Sequence, residues 1–215
     1  PNIEKKDNIT WIDQITSWQK ESSSRDIINM DTEILYGAQV ISDIWRETNG
    51  DAIIVSDVGQ HQMLEAQYYK HDEPNTLITS GGLGTMGFSL PAAIGASFAN
   101  RNKDIWVIVG DGSIQMTITE LATAVQECAN IKIAIINNGY LGMVRQWQQL
   151  FYDSRYSETP ISSPDYVKLS DAYGLEGYRV STRSEIPNAI NKVKNNDGPK
   201  LIEFVVEKHD MVYPM

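Results

Sequence analysis

The stretch Ile105-Trp-Val-Ile-Val-Gly-Asp-Gly-Ser113 decides the fold, because an apolar strand runs directly into a glycine-rich polar turn. Five consecutive apolar residues are typical of a strand that is buried on both faces, as in a parallel sheet. A second such strand, Ile131 to Ile136, runs into Asn137-Asn138. The 24 residues between Gly112 and Asn137 have room for one helix and one strand, which predicts a single βαβ step.

The same alternation extends in both directions from this pair of strands. Further apolar strands are predicted over three segments, 52–56, 77–79 and 201–206. Helical spacing of apolar residues predicts helices over 34–45, 90–98, 117–128, 141–151, 165–173 and 185–193. We therefore predict one α/β domain over residues 31–215, with a parallel sheet that helices cover on both faces.

Glycine-rich or polar clusters follow the predicted strands at the points where the strands end. The clusters occupy four segments, 57–62, 80–87, 110–113 and 137–142. Ligands of open α/β sheets bind beyond the carboxyl ends of the strands. We therefore expect a binding site at this edge of the sheet.

Residues 1–30 differ in pattern from the rest of the chain. Four apolar residues between Trp11 and Trp18 recur at helical spacing and predict a short amphipathic helix. The polar run from Lys20 to Asp26 predicts a linker. We interpret residues 1–30 as a helical appendage from a preceding domain, and its first residues lack the apolar core of a signal peptide.

The overall composition excludes several classes of protein. The chain has 215 residues, and its 18 basic and 28 acidic side chains give a net charge of −10. Such a charge repels phosphate backbones, which argues against binding to nucleic acids or anionic membranes. The one cysteine, Cys128, excludes an internal disulfide and a cysteine-rich zinc site, and we expect a buried thiol. No apolar stretch approaches the roughly 20 residues of a membrane span, so we expect a cytoplasmic protein.

The side chains of Asp111 and Asn138 follow neighbouring strands, so we expect them to converge. Both offer hard oxygen donors, which suit Mg²⁺ or Ca²⁺, and the turn from Gly139 to Gly142 can add a main-chain carbonyl. Ser113 can cap the next helix, whose N-terminal N–H groups favour an anion. Taken alone, Gly110 to Ser113 is an ordinary helix start. Together, the two clusters predict a divalent cation that holds a phosphate group.

Gly110-Asp-Gly112, followed at this distance by Asn137-Asn138, resembles the signature of thiamin-diphosphate-dependent enzymes. Other motifs resemble acetolactate (acetohydroxyacid) synthase large subunits over about residues 32–215. These motifs are Val58-Gly-Gln-His-Gln-Met63, Thr79-Ser-Gly-Gly-Leu-Gly-Thr-Met-Gly87, Leu90-Pro-Ala-Ala-Ile-Gly95, Gly142-Met-Val-Arg-Gln-Trp147, Phe151-Tyr152 with Arg155-Tyr156-Ser157, and Val212-Tyr-Pro-Met215. The resemblance implies the C-terminal, thiamin-diphosphate-binding domain of such a subunit.

The resemblance also implies a set of ligands. The side chains of Asp111 and Asn138 and the main-chain oxygen of Tyr140 would bind Mg²⁺. By itself His61 could equally be a surface or core histidine, but its setting in Val-Gly-Gln-His implies a contact with the diphosphate. The contacts to the cofactor would also include Val58, Gly59, Gln60, Gly84, Met86, Gly110, Gly112, Ser113, Gly142 and Met143.

Three side chains take catalytic roles by the same resemblance. Met86 would lie between the two rings of the cofactor and hold it bent, and the Gly84 carbonyl would accept from the aminopyrimidine. Met143 and Trp147 share one helix face, which periodicity alone would assign to the core. The resemblance implies instead that this face lines the substrate cleft, with Trp147 limiting the room for the second substrate. Residues 151–152 are core candidates.

The implied reaction is the decarboxylation of pyruvate and its addition to a second 2-oxo acid, pyruvate or 2-oxobutyrate, in branched-chain amino-acid biosynthesis. Members of this family form homodimers or larger oligomers and carry FAD in the full-length enzyme, and a regulatory small subunit is a further candidate partner. Nothing in the sequence resembles the pyrimidine-binding domain, whose glutamate starts the proton relay, so we expect this chain alone to be inactive. The alternatives are another thiamin-dependent decarboxylase or carboligase subunit, and a non-catalytic binding module.

Overall fold

The computed structural model describes residues 8–23, 26–194 and 197–213. Its strands are β1 Ile53–Ser56, β2 Leu77–Thr79, β3 Ile105–Gly110, β4 Ile131–Asn137, β5 Glu176–Val180 and β6 Lys200–Val205. They form one parallel sheet in the order β2-β1-β3-β4-β6-β5. Gly110 pairs with Ile136, so β3 and β4 end side by side.

Helices connect the strands and cover both faces of the sheet. They are α1 Ile9–Ser23, α2 Gly37–Glu47, α3 Gln60–Tyr68, α4 Ser89–Ala99, α5 Asp111–Thr117, α6 Leu121–Gln126, α7 Gly142–Phe151, α8 Tyr166–Tyr173 and α9 Ile186–Lys194. One core cluster contains residues of α2, α3 and α9, and a second contains residues of α4, α5, α6 and α8. This confirms the predicted α/β class.

Strand β3 shows how the sequence builds both cores. Trp106 and Ile108 belong to one cluster, whereas Ile105, Val107 and Val109 belong to the other, and all five are fully buried. Successive side chains of a strand point to opposite faces, so a continuous apolar run fills two cores at once. The polar turn that follows β3 is thereby fixed to the centre of the sheet.

Several elements differ from the sequence-based expectations. Strand β5 was not predicted, because its charged and glycine residues lack an apolar run; it lies at the edge of the sheet. The predicted linker from Lys20 to Asp26 was wrong up to Ser23, where α1 continues, and residues 24–25 lie outside the described part. Helix α3 was not predicted either, since its apolar residues do not recur at helical spacing.

Two predictions of burial were wrong. Cys128 is exposed and has a positive φ of 49°, because the chain turns there between α6 and β4. Phe151 and Tyr152 are 65% and 55% exposed, since α7 ends there at the surface.

The N-terminal helical appendage is present as α1, and its Trp11 and Trp18 rings pack edge to face on an exposed surface. Within the described residues, no helix is both long enough and apolar enough to cross a membrane.

Candidate functional site

The ends of β3 and β4 bring Asp111 and Asn138 to one cavity of about 150 Å³. Asp111 is the first residue of α5, and Asn138 follows directly after β4. The two segments also touch, because the Gly139 N–H donates to Asp111 Oδ2 over 3.2 Å. The structure therefore joins the two polar clusters that the sequence predicts to converge.

Asp111 is held on several sides although it is almost completely buried. Ser163 Oγ donates to Asp111 Oδ2 over 2.8 Å, and the Tyr166 hydroxyl donates to the Asp111 carbonyl over 2.7 Å. Burial raises the pKa of the Asp111 carboxyl to about 6, and hydrogen bonds to the carboxyl from Ser163 and from backbone N–H groups such as that of Gly139 offset only part of that rise. A bound cation would favour the ionised carboxylate.

The Asn138 side chain has a defined orientation. Its Nδ2 donates to Gln60 Oε1 over 3.0 Å, and its Oδ1 accepts from the Tyr140 N–H over 3.0 Å. Gln60 is oriented in turn by donating Nε2 to Gln146 Oε1 over 2.9 Å and to the Asp210 carbonyl over 2.9 Å. Only the amide oxygen can bind a cation, and the bond to Gln60 fixes which way it points; the oxygen accepts one hydrogen bond and keeps a second lone pair for a cation.

The loop after Asn138 is fixed on both sides of Tyr140. The Ile161 N–H donates to the Gly139 carbonyl over 2.9 Å, and the Leu141 N–H donates to the Thr159 carbonyl over 2.8 Å. Within the described part of the chain, no hydrogen bond engages the Tyr140 carbonyl. That oxygen therefore has its full capacity to accept a further partner.

His61 is a buried imidazole at the wall of the cavity. Its ring lies against Gly110, where an added Cβ would come within 2.7 Å of Nδ1, so only glycine leaves room for the imidazole. Among the described residues, Nε2 has no hydrogen-bond partner. Burial lowers the pKa of His61 to about 4, although the Asp57 charge acts in the opposite direction. The ring is thus neutral at pH 7 and lines the cavity.

Asp57 supports the loop that carries Met86, a role that sequence reasoning missed. Its Oδ1 accepts from the Gly87 N–H over 2.9 Å, and its Oδ2 accepts from the Ser89 N–H over 2.8 Å. Burial acts to raise the pKa of Asp57, but the hydrogen bonds from Ser89, Val58 and Gly87 outweigh it and hold the pKa below its usual range. An ionised, buried carboxylate therefore fixes the position of Met86 over the cavity.

Every predicted site residue lines this cavity except Gly84 and Trp147. Trp147 lies on α7 and is 47% exposed, whereas Met143 on the same helix reaches the cavity. Gly84 lies in an exposed turn with a φ of 64°. Sequence reasoning also missed Ser163, Tyr166 and Gln146. No spacing signal could reveal them, because each comes from a segment distant from the residue it holds.

A larger cavity, of about 540 Å³, lies between α1, α3 and the C-terminal segment. Its lining includes the carboxylates of Glu21, Asp26 and Asp210. The cavity at the ends of β3 and β4 also contains three acidic residues, Asp111, Glu207 and Asp210. It differs because it adds the Asn138 amide and His61 Nε2, which has no hydrogen-bond partner among the described residues, so it is the better candidate for a phosphate group held through a cation.

A model of the C-terminal TPP binding domain of thiamine pyrophosphate enzymes matches residues 57–204. The chain belongs to this family. Thiamine pyrophosphate is thiamin diphosphate, so the family confirms the resemblance that the glycine and asparagine motifs indicate. The match covers each of the four polar clusters at the carboxyl edge of the sheet.

Individual relatives show which enzymes within this family the chain is similar to. The acetolactate synthase large subunit of Cyanidium caldarium is 43% identical over 216 residues, which is 100% of this chain and 36% of the relative. The isozyme 3 large subunit of Escherichia coli is 43% identical over 95% of this chain and 36% of its own length. The mitochondrial catalytic subunit of Saccharomyces cerevisiae is 42% identical over 98% of the chain and 31% of its own length. The chain spans about a third of the length of these relatives.

The residues at the cavity fit a metal-bound diphosphate. Asp111, Asn138 and the Tyr140 carbonyl offer hard oxygens of the kind that Mg²⁺ prefers. The partnerless His61 Nε2 can donate to a phosphate oxygen in its neutral N–H form, since a buried polar group without a hydrogen bond is costly. Gly142 keeps the base of the cavity open, because an added Cβ would lie 2.7 Å from Asn138 Nδ2.

Proposed function

We propose that this chain binds thiamin diphosphate through Mg²⁺ and supplies that part of the active site of an acetolactate synthase. The reaction would join pyruvate, with loss of CO₂, to a second molecule of pyruvate or to 2-oxobutyrate. The observation that supports the proposal is the meeting of Asp111 and Asn138 at one cavity, with the orientation of the Asn138 amide fixed by Gln60. The names of the relatives supply the choice of reaction.

Each group at the cavity has a defined task in this proposal. Asp111, Asn138 and the Tyr140 carbonyl hold the cation and leave coordination positions for phosphate oxygens, as Mg²⁺ prefers. His61 Nε2 and the backbone N–H of Gly112 would donate to the diphosphate. The Ser113 hydroxyl donates to the Val58 carbonyl over 3.1 Å, so it must rotate before it can reach a phosphate. The diphosphate is therefore held chiefly by the cation, the imidazole and the backbone.

The bound cofactor supplies carbanion stabilisation, and the protein supplies placement and electrostatics. Met86, whose loop Asp57 fixes, would contact the rings of the bound cofactor and hold them in place. A flexible apolar side chain can fill the space between two rings. Met143, next to Tyr140 in the cavity lining, excludes water from the substrate side. Trp147 acts on the second 2-oxo acid only when further protein covers its exposed face.

We propose that catalysis needs such a covering surface. Large apolar side chains stand exposed near the site, with Leu83 at 93%, Met116 at 60% and Trp147 at 47%. Exposed apolar groups of this kind mark interaction surfaces. The whole enzyme would also contain FAD and would be at least a homodimer, with a regulatory small subunit as a further partner. The segment before residue 31 would belong to a preceding domain.

Two measurements test the proposal. Titration calorimetry should detect thiamin diphosphate binding that requires Mg²⁺ and disappears with excess chelator. An acetolactate assay with pyruvate, Mg²⁺ and cofactor should detect no turnover by this chain alone. Binding that is unaffected by metal would contradict the site, and clear turnover would contradict the need for further protein. A different product from the complete enzyme would favour another thiamin-dependent decarboxylase or carboligase, and absence of cofactor binding would favour a non-catalytic module.

A further inference from the structure

Asn137 is the member of the Asn137-Asn138 pair that the proposed ligand set leaves unused. Its Nδ2 donates to Glu203 Oε1 over 2.7 Å, and its Oδ1 accepts from the Gly139 N–H over 3.1 Å. The side chain therefore joins strand β6 to the loop that carries Tyr140. Only a group that donates at one end and accepts at the other can do this.

Glu203 is a buried carboxylate on β6, with 2% of its surface exposed. Its Oε2 accepts from Arg179 Nε on β5 over 2.7 Å, and Arg179 Nη2 donates to Asp165 Oδ1 over 2.9 Å. An ionised carboxylate can only accept hydrogen bonds. Glu203 thus requires Asn137 to turn its NH₂ group toward β6 and its oxygen toward Gly139.

The Gly139 N–H transmits this constraint to Asp111. It is shared between Asn137 Oδ1 at 3.1 Å and Asp111 Oδ2 at 3.2 Å. Ser163 Oγ donates to the same Asp111 Oδ2 at 2.8 Å. With Oδ2 occupied from two sides, Oδ1 is the carboxylate oxygen left for a cation.

We propose that Glu203 is a positioning residue for the cation site, acting through the Asn137 amide and the Gly139 N–H on Asp111. The inference rests on the proposed function, since it assumes that Asp111 and Asn138 hold a divalent cation. Glu203 does not reach the cavity itself. Residues that orient metal ligands by hydrogen bonds change metal affinity typically by about 10- to 100-fold when they are replaced.

Glu203→Gln and Asn137→Asp disturb this chain of contacts in opposite ways. The amide in Glu203→Gln has only one accepting oxygen, so it cannot accept from both Arg179 and Asn137. At one of these two contacts its NH₂ group therefore faces another donor. Asn137→Asp sets a second carboxylate against Glu203. In the double variant, the new carboxylate at position 137 accepts from the new amide at position 203 and from Gly139. The double variant therefore restores every donor–acceptor pair, whereas each single variant breaks one.

The test is titration of the full chain with Mn²⁺ at saturating thiamin diphosphate, with free Mn²⁺ followed by electron paramagnetic resonance. Mn²⁺ takes the same oxygen ligands as Mg²⁺. We expect each single variant to bind Mn²⁺ about 10-fold more weakly and the double variant to come within about 3-fold of the unsubstituted chain. The matched control is Glu176→Gln, which breaks a carboxylate–lysine pair between β5 and β6 at the other end of the same strands. It should leave Mn²⁺ affinity unchanged.

If Glu203 had a purely structural role, Glu203→Gln would lower the stability of the fold without changing the affinity for Mn²⁺. Single variants that bind like the unsubstituted chain overturn the proposal, as does a double variant that binds no more tightly than the single variants. Circular dichroism shows whether each variant folds. If one single variant does not fold, the double variant is compared with the other single variant, and equal Mn²⁺ affinities of these two overturn the proposal. Absence of Mn²⁺ binding by the unsubstituted chain instead refutes the proposed function, and the role of Glu203 falls with it.

Discussion

The amino and carboxyl edges of the sheet differ in how completely their polar groups are paired within the protein. At the amino edge, charged groups are paired within the protein: Lys103 binds Asp51, and Lys200 Nζ lies 3.1 Å from Glu176 Oε1. The buried Lys132 ammonium donates to Asn130 Oδ1 over 2.7 Å and to the Gly198 carbonyl over 3.3 Å. The charges named here thus have partners within the protein, although burial lowers the pKa of Lys132 to about 8 and, among the described residues, the buried Trp106 Nε1 has no hydrogen-bond partner.

The carboxyl edge holds buried polar groups that the protein does not neutralise. Among the described residues, no cationic side chain acts on Asp111 and His61 Nε2 has no hydrogen-bond partner. Burying an unpaired carboxylate or donor costs free energy. The carboxyl edge therefore carries a free-energy cost in the unliganded chain that a cation and a phosphate group would offset.

Replacing a carboxylate at each edge should give the largest difference. Asp111→Asn keeps the shape of the side chain but removes the charge that attracts the cation, so Mg²⁺-dependent thiamin diphosphate binding should weaken at least about 100-fold. Asp51→Asn at the amino edge should leave it unchanged. Titration calorimetry of both variants at pH 7 measures the effect. Equal affinity of the Asp111→Asn variant and the unsubstituted chain would remove Asp111 from the site.

The pH dependence of stability should expose the cost of the buried histidine. The pKa of His61 is about 4 in the folded chain against 6.5 ordinarily, so the unfolded chain binds more protons between these values. The free energy of unfolding therefore rises with pH across this window, and this gain in stability disappears as the pH falls. Between pH 7 and pH 5 the unsubstituted chain should lose roughly 2 kcal/mol relative to His61→Asn.

Urea denaturation of both proteins at pH 7 and pH 5 measures that difference. The raised pKa of Asp111 acts in the opposite direction, because its carboxyl takes up a proton more readily in the folded chain. Asp111 is present in both proteins, so its effect cancels when they are compared. A difference in stability that does not change with pH would show that His61 is not buried in the neutral form.

The smallest effect should come from a methyl group added at the base of the cavity. In Gly142→Ala the new Cβ would lie 2.7 Å from Asn138 Nδ2, so the Gln60–Asn138 pair must shift. Cofactor affinity measured by calorimetry should fall about 10-fold. The control is Gly95→Ala in α4, where an added Cβ meets nothing within 4 Å. It should leave affinity unchanged and stabilise the chain by up to about 1 kcal/mol. Equal cofactor affinities of the two variants would contradict the claim that a Cβ at position 142 displaces Gln60 and Asn138.

The carboxyl edge was more predictable from sequence than the network that supports it. Strands β3 and β4 are continuous apolar runs, and the polar turns that follow them converge because parallel neighbours end together. Strand β5 escaped prediction because an edge strand with Glu176 and Arg179 has no apolar period. Ser163 and Glu203 orient Asp111 and Asn137 across long stretches of chain, and such pairings leave no local pattern.

The central claim is that one divalent cation joins the ends of β3 and β4 to a diphosphate. Crystals grown with Mn²⁺ and thiamin diphosphate test it directly through the anomalous signal of the metal. We expect one Mn²⁺ peak at direct coordination distance, about 2 Å, from a carboxylate oxygen of Asp111 and from Asn138 Oδ1. A metal peak elsewhere, or a bound diphosphate with no metal between it and these side chains, would contradict the account.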